Sequence, residues 1–178
     1  RALRAHGGKQ AGCIEFLDGL VDARGVGAPE VVANRLGVDA LAAAHDPKLH
    51  QTTSAIHVHP NGKFLYVGNR ADGLMDFNGQ RVFAGGENSI AVFAINPSTG
   101  EHTRIQSVDP LTHHVRTIGI HPNGKLLIAA SIRDMQVRAG EGVRLAPAGL
   151  SVFRIGDDGR LELVRKYDVE LNGKMQWW

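Results

Sequence analysis

The sequence AIHVHPNGKFLYVGNR, residues 55–70, decides the fold of this chain. Apolar residues and histidines alternate before Pro-Asn-Gly, and β-favouring residues resume after it. This pattern is typical of a strand, a tight turn and a second strand. The unit returns at residues 117–131, TIGIHPNGKLLIAAS, in which HPNGK is repeated letter for letter. Because internal repeats indicate repetitive architectures, the chain is expected to be a tandem array of β units.

Each copy of this unit continues into a further pair of strands. The run IAVFAI at 90–95 corresponds to LSVFRI at 150–155, and each leads through a glycine-containing turn into another strand-like run. Two four-stranded units follow, with strands predicted at 54–59, 63–69, 89–95 and 102–108, and then at 116–121, 125–131, 149–155 and 161–167. The insertions 71–88 and 132–148 read as long loops, which in a compact sheet are often functional.

Four-stranded antiparallel units in series occur in β-propellers and in β-sandwiches. The near-identical hairpins favour the propeller, because a sandwich does not require its hairpins to resemble each other. Propellers have about four to eight blades, so two blades cannot close a ring. The fold class is therefore predicted to be all-β, a partial propeller of about two blades over residues 51–178. We expect these to be the C-terminal blades of a longer protein, with residues 168–178 beginning the strand that closes the ring.

Residues 1–50 differ from the rest of the chain. Alanine, glycine, valine and arginine dominate there, without a period of two. We expect a poorly defined, irregular or partly helical segment. Short helices are possible over residues 29–36, where Pro29 suits a first helical turn, and over residues 38–44.

The overall composition narrows the possible classes of protein. A hydrophobic content of 43% and a charged content of 21% in 178 residues suit a globular protein. The sequence contains no apolar run of about eighteen residues, so no membrane span is expected. A net charge of +2 gives no general attraction for nucleic acid. The single Cys13 cannot form an internal disulfide, which favours a reducing compartment, and we expect a cytoplasmic location. No catalytic serine motif, phosphate-binding loop or dinucleotide fingerprint occurs.

The topology predicts a cluster of polar residues on one side of the array. Because the first two strands of a unit are antiparallel, the end of the second lies beside the start of the first. This gathers Arg70, His113, His114 and Arg116 with the two insertions, whose positive charge comes from Arg81, Arg133, Arg138 and Arg144. Arg70 is matched by isoleucine in the second copy, so the repeated scaffold does not require it.

Comparison of the two copies also separates histidines that the repeated scaffold shares from histidines that occur in one copy only. His59 and His121 occupy the same position before the turn, which predicts a structural role for both. His57 is matched by glycine in the second copy. His57 and His59 should place two imidazoles on one face of a strand, which is half of a metal site. No third ligand is suitably spaced, so we expect no metal.

The ordered combination of residues 55–70, NSIAVF at 88–93 and residues 114–130 resembles the lactonase family of seven-bladed β-propellers. This family includes the propeller type of 6-phosphogluconolactonase and a fungal carboxymuconate cycloisomerase. The ending RKYDV followed by KMQWW is also similar to the end of such a chain. The resemblance covers residues from about 50 onwards and implies hydrolysis of a sugar-acid lactone without a cofactor.

The resemblance also implies roles for individual residues. The family's arginine at the end of this Asn-Arg strand lines the substrate pocket, so Arg70 is expected to bind the substrate together with Asn69 and Arg116. A guanidinium is a planar fork for carboxylate or phosphate, which suits this role. The family's acid and base come largely from other blades. The candidates for a catalytic group within this chain are His57, His113, His114 and Glu87.

The expected partners are a small anionic sugar lactone and the remaining blades, with neither nucleic acid nor membrane. Two alternatives stay open. A muconate-type cycloisomerase would use the same pocket with a proton shuttle, and substrate screening would distinguish it. A non-catalytic propeller would act as a binding platform, because propellers host many unrelated functions.

Overall fold

The computed structural model describes residues 40–42 and 49–176. In this part of the chain there are twelve strands and no helix, and hence no helix that could cross a membrane. The strands are β1 (Gln51–Val58), β2 (Phe64–Ala71), β3 (Leu74–Phe77), β4 (Gln80–Phe83), β5 (Ser89–Ile95), β6 (His102–Val108), β7 (Val115–Ile120), β8 (Leu126–Ser131), β9 (Met135–Ala139), β10 (Gly142–Ala146), β11 (Gly149–Ile155) and β12 (Leu161–Asp168).

Eight of these strands form two four-stranded antiparallel sheets, which confirms the predicted blades. The first blade has the order β1-β2-β5-β6 and the second the order β7-β8-β11-β12. Both blades carry register shifts at equivalent places. In the first strand of the first blade, β1, the shift lies between Thr53 and Ile56. In the first strand of the second blade, β7, it lies between Val115 and Thr117. The two blades therefore share their register shifts as well as their sequence motifs.

The two insertions are not loops, as the sequence suggested, but hairpins. β3 pairs with β4, and β9 pairs with β10. The first hairpin turns at Asn78 and Gly79, both of which have positive φ values of 52° and 76°. Asn-Gly favours the tight turn that matches the twist of two antiparallel strands. This dipeptide was the sequence signal for the hairpin, and its importance was underestimated.

The main core lies between the two blades. Tyr66, Ile90 and Val92 of the first blade pack in one buried cluster with residues of the second, including Leu127 and Phe153. Polar contacts also cross this boundary. The Tyr66 hydroxyl donates to the carbonyl of Gly159 over 2.9 Å, and the side chain of Gln106 exchanges two hydrogen bonds with the backbone of Leu161. The two blades are thus held together by a shared apolar core with polar contacts at its margin.

The two HPNGK turns have the same internal geometry and also contact each other. In each turn the glycine amide donates to the histidine carbonyl over 2.8 Å. The imidazole of His59 is buried, and its Nε2 lies 2.8 Å from the carbonyl oxygen of Gly124 in the second turn. His121, its counterpart, is exposed. His59 is therefore part of the scaffold, as predicted.

The predicted closing strand is absent from the described residues 169–176. Asn172 and Gly173 both have positive φ values, of 50° and 73°, and they turn the chain. The amide of Gln176 then donates to the carbonyl of Ile132 over 2.9 Å. The prediction of a strand here was wrong because this turn sends the segment back onto the second blade. Residues 177–178 and the predicted helix over 29–36 lie outside the described residues, and residues 40–42 are not helical.

Candidate anion-binding site

A polar cluster lies where the end of β2 meets the start of β7. Arg70 is near the end of β2, Asp72 follows that strand, and His114 immediately precedes β7. Arg133 follows β8, and His50 precedes β1. The sequence predicted that Arg70, His114 and the second insertion would meet, and the structure brings them together.

The closest contact in this cluster joins the two blades. Nη1 of Arg70 lies 2.6 Å from Nε2 of His114. Asp72 lies behind this pair, because its Oδ2 is 3.5 Å from Nδ1 of His114 and 4.0 Å from Nη1 of Arg70. Its other carboxylate oxygen accepts a hydrogen bond from His50, and its backbone carbonyl accepts one from Nη2 of Arg133 over 3.1 Å. The imidazole of His114 is therefore closer to the guanidinium of Arg70 than the carboxylate of Asp72 is.

Burial and like charges determine the protonation of the cluster. Burial lowers the pKa of His114 to about 4, with a further contribution from the positive charge of Arg70 that outweighs the opposing effect of Asp72. Burial and the nearby Arg116 also lower the pKa of Arg70. Burial alone would raise the pKa of Asp72, but its hydrogen bond from His50 and the charges around it lower that pKa. At neutral pH the site therefore contains several guanidinium groups, one carboxylate and a neutral His114.

Among the described residues, two guanidinium nitrogens of this cluster and Nδ1 of His114 are buried without a hydrogen-bond partner. Nε of Arg70 and Nε of Arg133 are both buried and have no hydrogen-bond partner among the described residues. Guanidinium nitrogens are donors only, and an unsatisfied buried donor is costly. These unpaired donors make the cluster a candidate for binding an anion.

The backbone around the site is fixed by Asn88. Its Oδ1 accepts hydrogen bonds from the amides of His114, over 2.8 Å, and of Ala71, over 3.3 Å. Its Nδ2 donates to the carbonyl of Ala71 over 3.2 Å. Asn88 therefore ties the end of β2 to the residue before β7, where His114 has a positive φ of 55°.

Asp72, Asn88 and His50 were missed by the reasoning from sequence. Asp72 follows Arg70 by two residues, a spacing that places two side chains on the same side of an extended chain. Its equivalent in the second copy is also an aspartate, Asp134, and a comparison of copies would therefore assign both to the scaffold. Asp134 does have a scaffold contact, because its Oδ1 accepts from the amide of Ala148 over 2.8 Å. No signal in the sequence distinguished the two aspartates.

Asn69, which is buried, and Glu87, which is half-buried, form a separate polar group. Nδ2 of Asn69 donates to the carbonyl of Ala40 over 2.7 Å and to Oγ of Ser89 over 3.1 Å. The carboxylate of Glu87 accepts from Asn69, Ser89 and Ser107 and from the amide of Ala42. These contacts join β2, β5 and β6 to residues 40–42. Substrate binding by Asn69 and catalysis by Glu87 stay predictions.

The remaining candidates are spread around the site. Ring packing places His113 against Phe83, with 4.8 Å between the centroids, and burial lowers its pKa. Arg116 occupies the register shift of β7 and is exposed. His57 is exposed on β1, whereas His59 has left the strand and is buried.

The predicted pair of imidazoles on one strand face was therefore wrong, because β1 ends at Val58. In the described part of the chain, no group of three or more His, Cys, Asp or Glu residues is arranged to hold a metal ion.

The two hairpins extend from this site and pack against each other. Asp72 leads into the first hairpin and Arg133 into the second. Phe83 of the first packs on a buried cluster of Met135, Val137 and Ala146 in the second. The guanidinium of Arg138 also lies 4.5 Å from the ring centroid of Phe77. The hairpins therefore form a joint wall beside the cluster.

Comparison with known proteins identifies the same fold and family. The model of the family described as "Lactonase, 7-bladed beta-propeller" matches residues 35–140, which is more than half of the chain. A curated relative, 6-phosphogluconolactonase from Formosa agariphila, is 34% identical over 76 residues. That match covers 43% of this chain and 18% of the relative, so the chain spans less than a fifth of that protein.

Two solved structures share the architecture. A protein from Lactobacillus plantarum matches with a TM-score of 0.53 and 19% identity, covering 79% of this chain and 33% of that chain. A periplasmic gluconolactonase from Pseudomonas aeruginosa matches with a TM-score of 0.53 and 18% identity, covering 78% of this chain and 30% of that chain. At these identities the two likenesses show the fold alone.

Proposed function

Because the chain belongs to the lactonase family of seven-bladed β-propellers, we propose that the protein containing it hydrolyses a sugar-acid lactone. In this proposal Arg70 binds the anionic part of the substrate, and the remaining blades complete the pocket. The Formosa agariphila relative is a 6-phosphogluconolactonase, which supports a small anionic sugar lactone as the substrate.

The observation that carries the proposal is the excess of positive charge around Arg70. The charges of Arg116 and Arg133 both act on its guanidinium, and Asp72 is the one carboxylate within ion-pair distance of it among the described residues. Cations of like sign repel each other; Arg70 and Arg133 are half-buried and Arg116 is exposed, so their repulsion is partly screened but still favours an anion. A bound carboxylate or phosphate would offset that repulsion through charge-assisted hydrogen bonds.

The mechanism proposed for these residues is electrostatic. Water attacks the ring carbonyl of the lactone, and the developing oxyanion is stabilised by guanidinium groups held in place before the reaction. A general base must accept a proton from that water. The Nε2 lone pair of His114 already faces Arg70, and the carboxylate of Glu87 already accepts four hydrogen bonds. We therefore assign neither of them as the base, and propose that it comes from another blade.

The test is lactone hydrolysis by the full-length gene product, measured as acid release above the spontaneous rate. We expect Arg70→Ala to lower kcat/KM at least about a hundredfold, which corresponds to about 2.7 kcal/mol. Arg154→Ala is the matched control, because Arg154 is an exposed arginine paired with Glu162 and such pairs contribute little. Equal activity of the parent and Arg70→Ala would contradict the role of Arg70.

A parent protein that shows no hydrolysis above background would exclude the lactonase proposal itself. The assay should include phosphorylated and unmodified sugar lactones, because the charge of the substrate determines how strongly it would bind the arginine cluster. We keep the cytoplasmic location as a proposal, to be tested by cell fractionation, since the Pseudomonas aeruginosa protein is periplasmic.

A further inference from the structure

Resting on the proposed role of Arg70, we infer that His114 is a positioning residue. In this inference His114 is a neutral imidazole with its proton on Nδ1. Its Nε2 lone pair holds the guanidinium of Arg70 in place without cancelling the positive charge. Asp72, behind the imidazole, favours this tautomer through its negative charge.

The geometry itself requires this protonation state. Nη1 of Arg70 and Nε2 of His114 are 2.6 Å apart, and a guanidinium nitrogen donates but does not accept hydrogen bonds. The imidazole must therefore accept through Nε2, which leaves the proton on Nδ1. That nitrogen lies 3.5 Å from Oδ2 of Asp72 and makes no hydrogen bond to it, but the nearby negative charge favours an N–H over a lone pair at this position. A doubly protonated His114 would place two donors against each other at 2.6 Å.

The order of the three groups preserves the charge of the arginine. A carboxylate bound directly to a guanidinium forms a two-pronged ion pair, which occupies its donors and compensates its charge. Here the nearest carboxylate oxygen is 4.0 Å from Nη1, and the neutral imidazole occupies the hydrogen-bonding position instead. Nε of Arg70 also remains without a partner among the described residues. The guanidinium is thus oriented but still able to bind an anion.

The pair is an addition to the repeated scaffold and not a consequence of it. Arg70 comes from the first blade and His114 from the second, so their contact fixes the guanidinium across the boundary between blades. In the second copy the position of Arg70 is taken by Ile132. The backbone of His114 is held by Asn88, over 2.8 Å, in a left-handed conformation that few residues adopt without support.

Most of the charged groups that act on His114 favour the neutral imidazole at neutral pH. Three are arginines, Arg70, Arg133 and Arg116, which lower the pKa of the imidazole, and Asp72 acts in the opposite direction. Burial is the largest effect and also favours the neutral form. Protonation of His114 would remove the acceptor of Arg70 and add another positive charge to the cluster. The arginine would then lose its fixed orientation.

The first experiment compares substitutions of His114 in the full-length gene product. His114→Gln keeps an acceptor but cannot take a proton in this range, and His114→Leu has no acceptor. If His114 positions Arg70, we expect the leucine variant to lose at least about tenfold in kcat/KM and the glutamine variant to stay within about threefold of the parent. His121→Gln is the control, because His121 is exposed on the second turn. Equal losses in both His114 variants would indicate proton transfer by the imidazole and overturn the inference.

The second experiment reads the imidazole directly and does not depend on activity. Long-range ¹H–¹⁵N spectra of the parent should show His114 as the neutral Nδ1–H tautomer from about pH 8 down to about pH 5. A doubly protonated or Nε2–H imidazole in this range would overturn the inference. An inactive parent with the expected tautomer would contradict the lactonase proposal alone, so the two failures are distinguishable. The spectra also decide the question if His114→Leu does not fold.

Discussion

The ends of β2 and β8 are equivalent in the repeat but differ in content. At the end of β2, Arg70 is held by the imidazole of His114 among other charged groups. At the end of β8, Ile132 is buried with 1% of its surface exposed, and its carbonyl accepts from Gln176. The strands, register shifts and turns are shared, so the scaffold alone does not define a site. The chemistry comes from the positions at which the copies differ.

The largest effect is expected when the charge of the first blade is placed in the second. Ile132→Arg would bury a guanidinium where Oδ1 of Asp134 already accepts from Ala148. An unpaired buried charge costs about 3–5 kcal/mol, and denaturant unfolding should show this loss. The reverse change, Arg70→Ile, should alter the unfolding free energy by less than about 1 kcal/mol, because it removes a cation from among like charges. Similar losses for both changes would show that the two strand ends do not differ electrostatically.

The second expected effect is a dependence of the unfolding free energy on pH, caused by His114 beside the end of β2. The pKa of His114 lies near 4 in the folded state, below the ordinary value of 6.5. As the pH falls from about 6.5 to about 4, the unfolded state takes up a proton that the folded state does not. Stability that is complete above pH 6.5 is therefore lost through this range, by about 3 kcal/mol from this histidine.

Comparison of the parent with His114→Gln isolates this contribution. The pKa values of His57, His102 and His113 are also lowered by burial, so the parent alone would show the sum of several groups. Chemical denaturation at a series of pH values should give a shallower dependence for the variant. Parallel curves for the two proteins would mean that His114 titrates normally.

The two glycines of the HPNGK turns provide a matched test of the contact between blades. Gly62 and Gly124 have similar positive φ values, 73° and 71°. A Cβ on Gly62 would meet nothing within 4 Å, whereas one on Gly124 would lie 2.7 Å from Cε1 and Nε2 of His59. We expect Gly62→Ala to cost about 1 kcal/mol from the left-handed backbone alone. Gly124→Ala should cost about 2 kcal/mol or more, because the buried ring of His59 must also move. Equal shifts in the denaturation midpoint would contradict the contact.

The smallest expected effect concerns the hydroxyl of Tyr66. This group donates to the carbonyl of Gly159 over 2.9 Å in a buried position, and its equivalent in the second copy is the exposed Ile128. Tyr66→Phe should cost about 1 kcal/mol, because the carbonyl loses its donor. The exposed Tyr167 provides the control, since Tyr167→Phe should leave the thermal midpoint unchanged.

The sequence predicted the blades well because their signals are local. Alternation, turn residues and the repeat of HPNGK are all read within about fifteen residues. Each of the eight blade strands is present within three residues of its predicted bounds. The hairpin at Asn78 and Gly79 was also readable in principle, but the length of the insertion suggested a loop. The absence of the closing strand depends on how the chain folds back, which the repeat does not specify.

The site was predictable only in part, because its contacts are distant in sequence. The topology correctly brought Arg70 next to His114, which is 44 residues away. It could not show that the imidazole would accept from the guanidinium, since this depends on angles and burial. Asp72 was not recognised as a site residue because the second copy also has an aspartate at the equivalent position. His50 and Asn88 lie outside the positions at which the two copies were compared. A comparison of copies identifies what is different, but a residue shared by both copies can still acquire a different role.

The contact between His59 and Gly124 has a consequence for how such a chain grows during evolution. Each copy of HPNGK contains both a histidine and a glycine, the two residue types that make the contact between His59 and Gly124. A duplicated gene segment therefore brings its own attachment point, and no new surface has to be selected when a copy is added. In this chain the histidine of one copy is buried in such a contact while that of the next is exposed. Residues such as Arg70 can then change while the means of joining copies stays constant.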